Sequence, residues 1–203
     1  MIEQGSDAWK QMRLGRATAS RMADICATTK TGWGASRANY AAQLIAERLT
    51  GVVADSYSNA AMEWGNACEP EARAVYSFST DLPVTLIDFV PHPSIPMSGA
   101  SPDGLVGDDG LVEIKCPQTA TQIDTLLKRT VPEKYILQMQ WQMACTGRQW
   151  CDFVSYDPRM PENLRLFVKR IERDNALIAD LEVKVAAFLL EVDGKVHALL
   201  ELT

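Results

Sequence analysis

One stretch of the chain, residues 98–117, limits the possible folds more than any other. It reads SGASPDGLVGDDGLVEIKCP and places acidic side chains on two apolar segments separated by a turn signal. The Asp-Asp-Gly at 108–110 predicts a tight turn, because glycine accepts the positive φ angle that such turns require. Apolar pairs at 105–106 and 111–112 flank this turn and predict two paired strands. The sequence therefore predicts a β-hairpin with an acid, Asp103, beside its first strand.

The second strand of this hairpin carries Glu113, Ile114 and Lys115. Side chains alternate along a strand, so Glu113 and Lys115 share a face, and the hairpin brings Asp103 alongside them. Two carboxylates on one face repel each other unless a cation lies between them, and oxygen-rich sites favour Mg²⁺ or Mn²⁺. Lys115 would then act on the attacking water or stabilise the charge that builds on a phosphate. The alternative is a solvated hairpin with a surface Glu-Lys pair, but the apolar flanks favour a functional site.

Composition sets limits on the other functional classes. At 203 residues the chain fits a single domain spanning 1–203. No apolar run is long enough to cross a membrane, and the N-terminus lacks a signal pattern, so we expect a cytoplasmic protein. The five cysteines are scattered without a C-x-x-C pair, which favours reduced thiols. With only two histidines, a zinc site or a histidine-based triad is disfavoured, which leaves carboxylate-metal chemistry.

The net charge of −6 argues against tight, non-specific DNA binding by a lone subunit. Overall charge is a poor guide where a metal neutralises clustered acids, so a confined basic groove is still compatible with it. Near the N-terminus, RLGRATAS places Arg13 and Arg16 close to Thr18 and Ser20. Arginines and hydroxyls at a helix start can form a phosphate-binding cradle, or simply a solvated basic face with a serine cap. The residues alone leave both interpretations open.

The remaining patterns predict alternating helices and strands. Residues 27–36 are small and polar and predict a mobile loop that exposes Lys30 and Trp33. Further strands are expected at 83–90, 150–156 and 164–171, and helices at 36–50, 59–79, 118–128 and 133–146 and after a cap at Asp174. This order predicts a mixed α/β fold with a central sheet flanked by helices. Glu69, on the second long helix, either reaches the hairpin site or is an ordinary exposed glutamate.

The motifs, taken together, resemble those of a known family. SPDG followed by VEIKCP resembles the PD-(D/E)XK nuclease core, and in this form the phage lambda exonuclease (YqaJ-type viral recombinase) family. Segments similar to that family follow in the same order: DAWKQMRLGRATAS, MEWGNACEPEAR, YILQMQWQM, SYDPRM and IERD. The resemblance extends from about Gln4 to Asp174. It implies a restriction-endonuclease-like core with a central mixed β-sheet flanked by α-helices.

The resemblance also implies an activity and partners. We expect a Mg²⁺-dependent 5′→3′ exonuclease that resects one strand of linear double-stranded DNA and leaves a 3′ single-stranded overhang for annealing-type recombination. Two Mg²⁺ ions are expected, with Mn²⁺ as a substitute. Family members form ring-shaped homotrimers on double-stranded DNA ends and act with a single-strand annealing protein; no membrane partner is expected.

The family's functional residues match positions of this chain one by one. Metal ligands match Asp103, Glu113, the Ile114 carbonyl and the helical acid Glu69. The catalytic lysine matches Lys115, and helix residues lining the active site match Gln138 and Tyr135. The family's residues around the 5′-terminal phosphate match Arg13, Ser20, Ser101 and Tyr135. The apolar wedge that splits the terminal base pair matches Met62. A DNA-binding loop matches the segment around Lys30, which is shorter and less basic here.

Two other classes share part of this pattern. The same core serves structure-specific or restriction-type endonucleases, which cut circular DNA. A non-catalytic DNA-binding module is the other alternative, but it has no need of Asp103, Glu113 and Lys115 together.

Overall fold

A five-stranded mixed β-sheet lies between layers of helices in a computed structural model, which describes residues 4–30, 32–54 and 60–202, apart from the side chain of Met62. The helices are α1 (Asp7–Arg13), α2 (Met22–Ile25), α3 (Ala35–Thr50), α4 (Ala60–Thr80), α5 (Thr119–Lys128), α6 (Glu133–Thr146) and α7 (Asn175–Leu200). The strands are β1 (Ala17–Thr18), β2 (Thr28–Thr29), β3 (Gly32–Trp33), β4 (Val84–Thr85), β5 (Val90–Pro91), β6 (Ser98–Ala100), β7 (Gly104–Val106), β8 (Gly110–Lys115), β9 (Trp150–Tyr156) and β10 (Leu166–Glu172).

The large sheet has the order β10-β9-β8-β7-β4, and β8 pairs in parallel with β9 while the other neighbours are antiparallel. A second sheet has the order β1-β6-β5, and β2 pairs with β3. The predicted fold class, a mixed sheet flanked by helices, is confirmed. The side chains of β8 are buried along most of its length, because they point to the two faces of the sheet, which helices cover.

The predicted hairpin is confirmed as β7 and β8, with Leu105 opposite Leu111. The reason given for its turn was wrong in one respect. The positive φ angle, 52°, belongs to Gly107, whereas Gly110 lies in the strand. A Cβ at Gly110 would collide with the ring of Trp150, so close packing rather than turn geometry requires glycine at that position.

Two predictions of local structure were wrong because strand pairing overrides sequence pattern. The single strand expected at 83–90 is two short strands, β4 and β5, which pair in different sheets. The chain crosses from one sheet to the other between them, so the intervening residues join no ladder. The loop expected at 27–36 contains the β2-β3 hairpin and the start of α3, although Lys30 and Trp33 are exposed as predicted.

Helix ends follow local signals. Gly51 and Gly147, with φ angles of 68° and 74°, end α3 and α6 in the left-handed conformation. The side chain of Asp174 accepts hydrogen bonds from the backbone N–H groups of Ala176 and Leu177 at the start of α7, as predicted. The first residue of the helix predicted at 59–79 lies outside the described residues.

Two apolar clusters fix the sheet between the helices. The larger contains Tyr40 from α3, Trp141 from α6 and Phe188 from α7, and the smaller packs Tyr76 of α4 against Ile114 of β8. Ile114 therefore faces α4, and the side chains beside it along β8 face α6. The five cysteines are free thiols. In the part of the chain that the structure describes, no helix combines the length and the apolar character needed to cross a bilayer.

Candidate active site

Two buried carboxylates lie side by side at the hairpin. Asp103, which precedes β7, is 8% exposed, and Glu113 of β8 is fully buried. Asp103 Oδ2 accepts a hydrogen bond of 2.7 Å from the backbone N–H of Ile114, which fixes the acid against β8. Burial raises the pKa of Asp103 well above its ordinary value, and the nearby Glu113 carboxylate raises it further. The hairpin thus concentrates negative charge at one point.

Both oxygens of Glu113 accept hydrogen bonds from α6. Gln138 donates to Oε1 at 2.7 Å, and Gln142 donates to Oε2 at 2.6 Å. The ammonium group of Lys115 also pairs with Oε1. Because the two glutamines lie one turn apart, they share a face of α6. The structure therefore brings together Glu113, Lys115 and Gln138, as the sequence predicts, and adds Gln142.

Lys115 is held in its charged form. Burial disfavours the ammonium ion, but the carboxylates of Glu113 and Asp103 outweigh this effect and raise the pKa of Lys115. Its Nζ lies 5.2 Å from the centre of the Tyr135 ring, and this ring stacks on Phe153 with 5.4 Å between centroids. Tyr135 is thus beside the cluster of Asp103, Glu113 and Lys115, not among the side chains that surround Arg13 in the described residues.

Glu69 faces the same cluster from α4. Its side chain is 24% exposed and pairs with Arg73, one turn further along the helix. Burial raises the pKa of Glu69, with Arg73 and Lys115 opposing and Glu113 reinforcing the shift. The charges of Lys115 and Glu113 therefore act on Glu69, whose ion-pair partner is Arg73. Arg73 was not among the predicted site residues, although its spacing of four residues from Glu69 is typical of helical ion pairs.

A second cluster surrounds the guanidinium group of Arg13. Arg13 donates to the hydroxyls of Ser101 at 3.1 Å, Thr18 at 3.3 Å and Ser20 at 3.3 Å. It lies 4.1 Å from the ring centre of Trp9, whose Nε1–H also donates to Ser101 at 3.2 Å. The structure thus brings Arg13, Ser20 and Ser101 together, as predicted. It adds Trp9, which the sequence analysis did not single out.

The Arg13 cluster suits an anion. The hydrogen-bond partners of Arg13 are neutral hydroxyls. Burial lowers the pKa of Arg13, and the nearby Tyr40 and Glu47 oppose this shift. An arginine fork with surrounding hydroxyls matches the geometry of a phosphate group.

One cavity of about 990 Å³ extends from the Arg13 cluster to the Glu69–Arg73 pair of α4. Arg13, Thr18 and Ser20 line one part of it, and Glu69 and Arg73 line another. An extended polar ligand can therefore reach both Arg13 and Glu69. Lys30 is exposed on the β2-β3 hairpin and does not line this cavity, and the side chain of Met62 lies outside the described part of the chain.

The donor set fits a hard divalent cation. It consists of the oxygens of Asp103, Glu113 and Glu69, with the carbonyl of Ile114, and Mg²⁺ prefers such oxygen ligands. The repulsion between Asp103 and Glu113 that raises the pKa of Asp103 is what a bound cation would relieve. Across residues 4–30, 32–54 and 60–202, however, no three His, Cys, Asp or Glu side chains are grouped closely enough to hold a metal by themselves. Here Glu113 pairs with Lys115, and Glu69 with Arg73.

Comparison with solved structures identifies relatives over nearly the whole chain. An alkaline exonuclease (LHK-Exo) from Laribacter hongkongensis is 52% identical, with a TM-score of 0.90 and 97% of each chain covered. LHK-Exo in complex with dAMP is 53% identical, with a TM-score of 0.90 and 96% of each chain covered. A phage-related exonuclease from Haemophilus somnus 129PT, 17% identical with a TM-score of 0.74, shares the fold over 91% of this chain and 96% of its own. No curated protein sequence matches the chain.

The family profile described as "YqaJ-like viral recombinase domain" matches residues 8–149, which is more than half of the chain. This span includes Arg13, Glu69, the hairpin acids, Lys115 and the two glutamines of α6. The chain therefore belongs to the YqaJ-like viral recombinase family and is a homologue of alkaline exonucleases with a PD-(D/E)XK-like fold.

Proposed function

We propose that this protein is a Mg²⁺-dependent 5′→3′ exonuclease that resects one strand of linear double-stranded DNA and leaves a 3′ single-stranded overhang. The observation that carries this proposal is the cavity that extends from Arg13, a half-buried arginine surrounded by hydroxyls, to Glu69, the helical acid whose pKa is affected by Glu113 and Lys115. The cluster of Asp103, Glu113 and Lys115 suits phosphodiester hydrolysis, and the Arg13 cluster suits a terminal phosphate. The homology to alkaline exonucleases supports the same reaction class.

Asp103, Glu113, Glu69 and the Ile114 carbonyl would hold the metal, as two Mg²⁺ ions or Mn²⁺ in their place. When bound, such ions lower the pKa of a water molecule and stabilise the leaving oxygen. Lys115 is charged and lies against Glu113, so its ammonium group can stabilise the negative charge that builds on the phosphate. Gln138 holds the Glu113 carboxylate in position.

Arg13 supplies the preference for an end. Its guanidinium group, with the hydroxyls of Ser20 and Ser101, would bind the 5′-terminal phosphate at a fixed distance from the acids. A half-buried cation with neutral hydrogen-bond partners gains most from a dianionic ligand, which a strand end offers and an internal phosphodiester does not. The dAMP that is bound to LHK-Exo is a deoxynucleoside 5′-monophosphate, the product class that we propose for this chain.

We further propose, from the family resemblance, a ring-shaped homotrimer that acts with a single-strand annealing protein in annealing-type recombination. A ring would keep the enzyme on the duplex between successive cleavages, and the annealing protein would take up the overhang.

The direction of resection can be tested with 5′-phosphorylated linear duplexes that carry a label at either the 5′ or the 3′ end. With Mg²⁺, we expect early release of the 5′ label as mononucleotide, while the 3′ label stays in long single strands. EDTA should prevent the release of the 5′ label and the conversion of the duplex into single strands. Early release of the 3′ label would contradict the proposed polarity.

A further inference from the structure

We propose that Gln142 is a positioning residue that orients the Glu113 carboxylate for metal binding, an inference that rests on the proposed function. Gln142 is fully buried, and its Nε2–H donates to Glu113 Oε2 at 2.6 Å. Its own amide oxygen lies 4.0 Å from the thiol of Cys151, which donates to it. The amide is thus held at both ends, between the active-site acid and the neighbouring strand β9.

The two oxygens of Glu113 have different surroundings. Oε1 accepts from Gln138 and also pairs with Lys115, whereas Gln142 is the hydrogen-bond donor that the structure shows at Oε2. A carboxylate oxygen offers about two acceptor positions. Two donors therefore fill those of Oε1, while Oε2 keeps one position open. We infer that Oε2 is the oxygen of Glu113 available to the cation, and that Gln142 fixes its direction.

The chemical type of the side chain matters at this position. Metal binding requires the charged carboxylate, and a buried amide N–H stabilises that charge where water cannot. An apolar side chain of the same size would leave Oε2 buried without a donor and free to turn. Partners of metal ligands typically affect metal affinity or activity by about 10- to 100-fold when they are removed.

The test compares Gln142→Met with Gln140→Met. Gln140 is a matched control, since it is 2% exposed on the same helix but donates to the backbone of Glu172 at 2.8 Å and accepts from the N–H of Asp174 at 2.9 Å. Binding of Mn²⁺ to the DNA-free protein would be measured by electron paramagnetic resonance, alongside the melting temperature and the Mg²⁺ concentration for half-maximal DNA degradation.

We expect Gln142→Met to weaken Mn²⁺ binding by about 10- to 100-fold and to raise the required Mg²⁺ concentration in parallel. Gln140→Met should lower the melting temperature but bind Mn²⁺ as the wild type does. A folded Gln142→Met variant with wild-type Mn²⁺ affinity would overturn the inference, and so would an equal loss of Mn²⁺ affinity in the Gln140→Met control. Neither result would contradict the proposed function.

If Gln142→Met does not fold, Gln142→Asn replaces it. This variant keeps a buried amide but is one methylene too short to reach Glu113, so we expect the same loss of Mn²⁺ affinity, and unchanged affinity would overturn the inference. Failure of the wild type itself to bind Mn²⁺ would instead overturn the proposed metal site, and this inference with it.

Discussion

Lys115 carries the charge on which the proposed chemistry depends most directly. Its ammonium group lies against Glu113, and the surrounding acids raise its pKa, so it is positively charged at neutral pH. We predict that Lys115→Ala lowers the rate of DNA degradation by about 100-fold or more, a loss typical of an electrostatic group at a reacting centre. DNA binding, measured by fluorescence anisotropy, should survive.

The matched control for that variant is Lys134→Ala. Lys134 is exposed and lies 4.7 Å from the same Tyr135 ring, but it has no contact with Glu113. Its removal should leave the rate near that of the wild type. Turnover by Lys115→Ala at the wild-type rate would exclude the assigned role.

The proposed end preference depends on Arg13, whose hydrogen-bond partners are neutral hydroxyls. Hydrogen bonds to charged groups contribute about 1.5–3 kcal/mol, so Arg13→Ala should reduce the preference for 5′-phosphorylated over 5′-hydroxyl duplexes by about 10- to 100-fold. Initial rates on the two substrates give this ratio. Lys128→Ala, which removes an exposed cation paired with Asp124, should leave the ratio unchanged. The pocket is wrongly placed if Arg13→Ala distinguishes the two ends as the wild type does.

Individual residues could be predicted where the relevant contact is local in sequence. Glu113 and Lys115 are two positions apart on one strand, so alternation alone places them together. The role of Arg13 stayed open from the residues themselves, because its partner Ser101 lies 88 positions away and only the fold joins them. The same holds for Glu69, whose approach to the hairpin depends on how α4 packs against β8.

At the scale of elements, Asp157 ties the end of β9 to the start of α5. Its Oδ2 accepts from the Thr119 hydroxyl at 2.7 Å, and its Oδ1 accepts from the backbone N–H and Nε–H of Arg159 at 3.0 Å and 2.7 Å. Burial opposes the charged form, but the hydrogen bonds from Arg159 and Thr119 outweigh it and lower the pKa of Asp157. A depressed pKa means that the folded state is stabilised by the ionised carboxylate.

We predict that Asp157→Asn lowers the free energy of unfolding by about 1–3 kcal/mol at neutral pH. This contribution is fully present above the unfolded pKa of about 3.9 and is lost as the pH falls through the lower, folded value. Urea unfolding of the wild type and of Asp157→Asn should therefore show a difference in free energy of unfolding that is constant at neutral pH and becomes smaller only below about pH 4. Asp124→Asn, at an exposed pair, is the control and should change stability by less than about 0.5 kcal/mol. A difference in free energy of unfolding that grows as the pH falls would contradict the stabilising role of the ionised Asp157 carboxylate.

Helix ends were predictable because capping is local. Asp174, Gly51 and Gly147 each act on the adjacent turn, and the structure has all three as the sequence indicates. Short strands could not be predicted from the sequence, because a strand of two residues is identified only by the strand with which it pairs. The apolar pattern at 83–90 is the same whether the residues pair with β7, with β6 or with neither. Only the tertiary structure assigns β4 to β7 and β5 to β6.

At the scale of the whole molecule, the order of elements was sufficient for the fold class. The hairpin, the helices on both sides and the later strands predict a mixed sheet covered by helices, and the structure has that arrangement. The parallel pairing of β8 with β9 could not be read from the sequence, since it depends on the path of α5 and α6 between them. The burial of Glu113 likewise depends on the tertiary structure, since α6 covers its carboxylate.

Assembly is a separate prediction at this scale. We predict that light scattering in solution gives the mass of three chains of 22.4 kDa each, as expected for the proposed ring. A ring confines the enzyme to a duplex end, so dilution that dissociates it should shorten the tract removed in one encounter. The mass of a single chain at concentrations where the enzyme is active would contradict the trimer.

The most direct test of the central claim is digestion of a linear 5′-phosphorylated duplex beside a closed circle of the same DNA, with Mg²⁺ and with EDTA. The cavity that Arg13 shares with Glu69 predicts Mg²⁺-dependent loss of the linear DNA while the circle stays intact. Cleavage of the circle would contradict an end-dependent exonuclease and indicate an endonuclease with the same core. Loss of neither substrate would contradict catalysis and indicate a DNA-binding module.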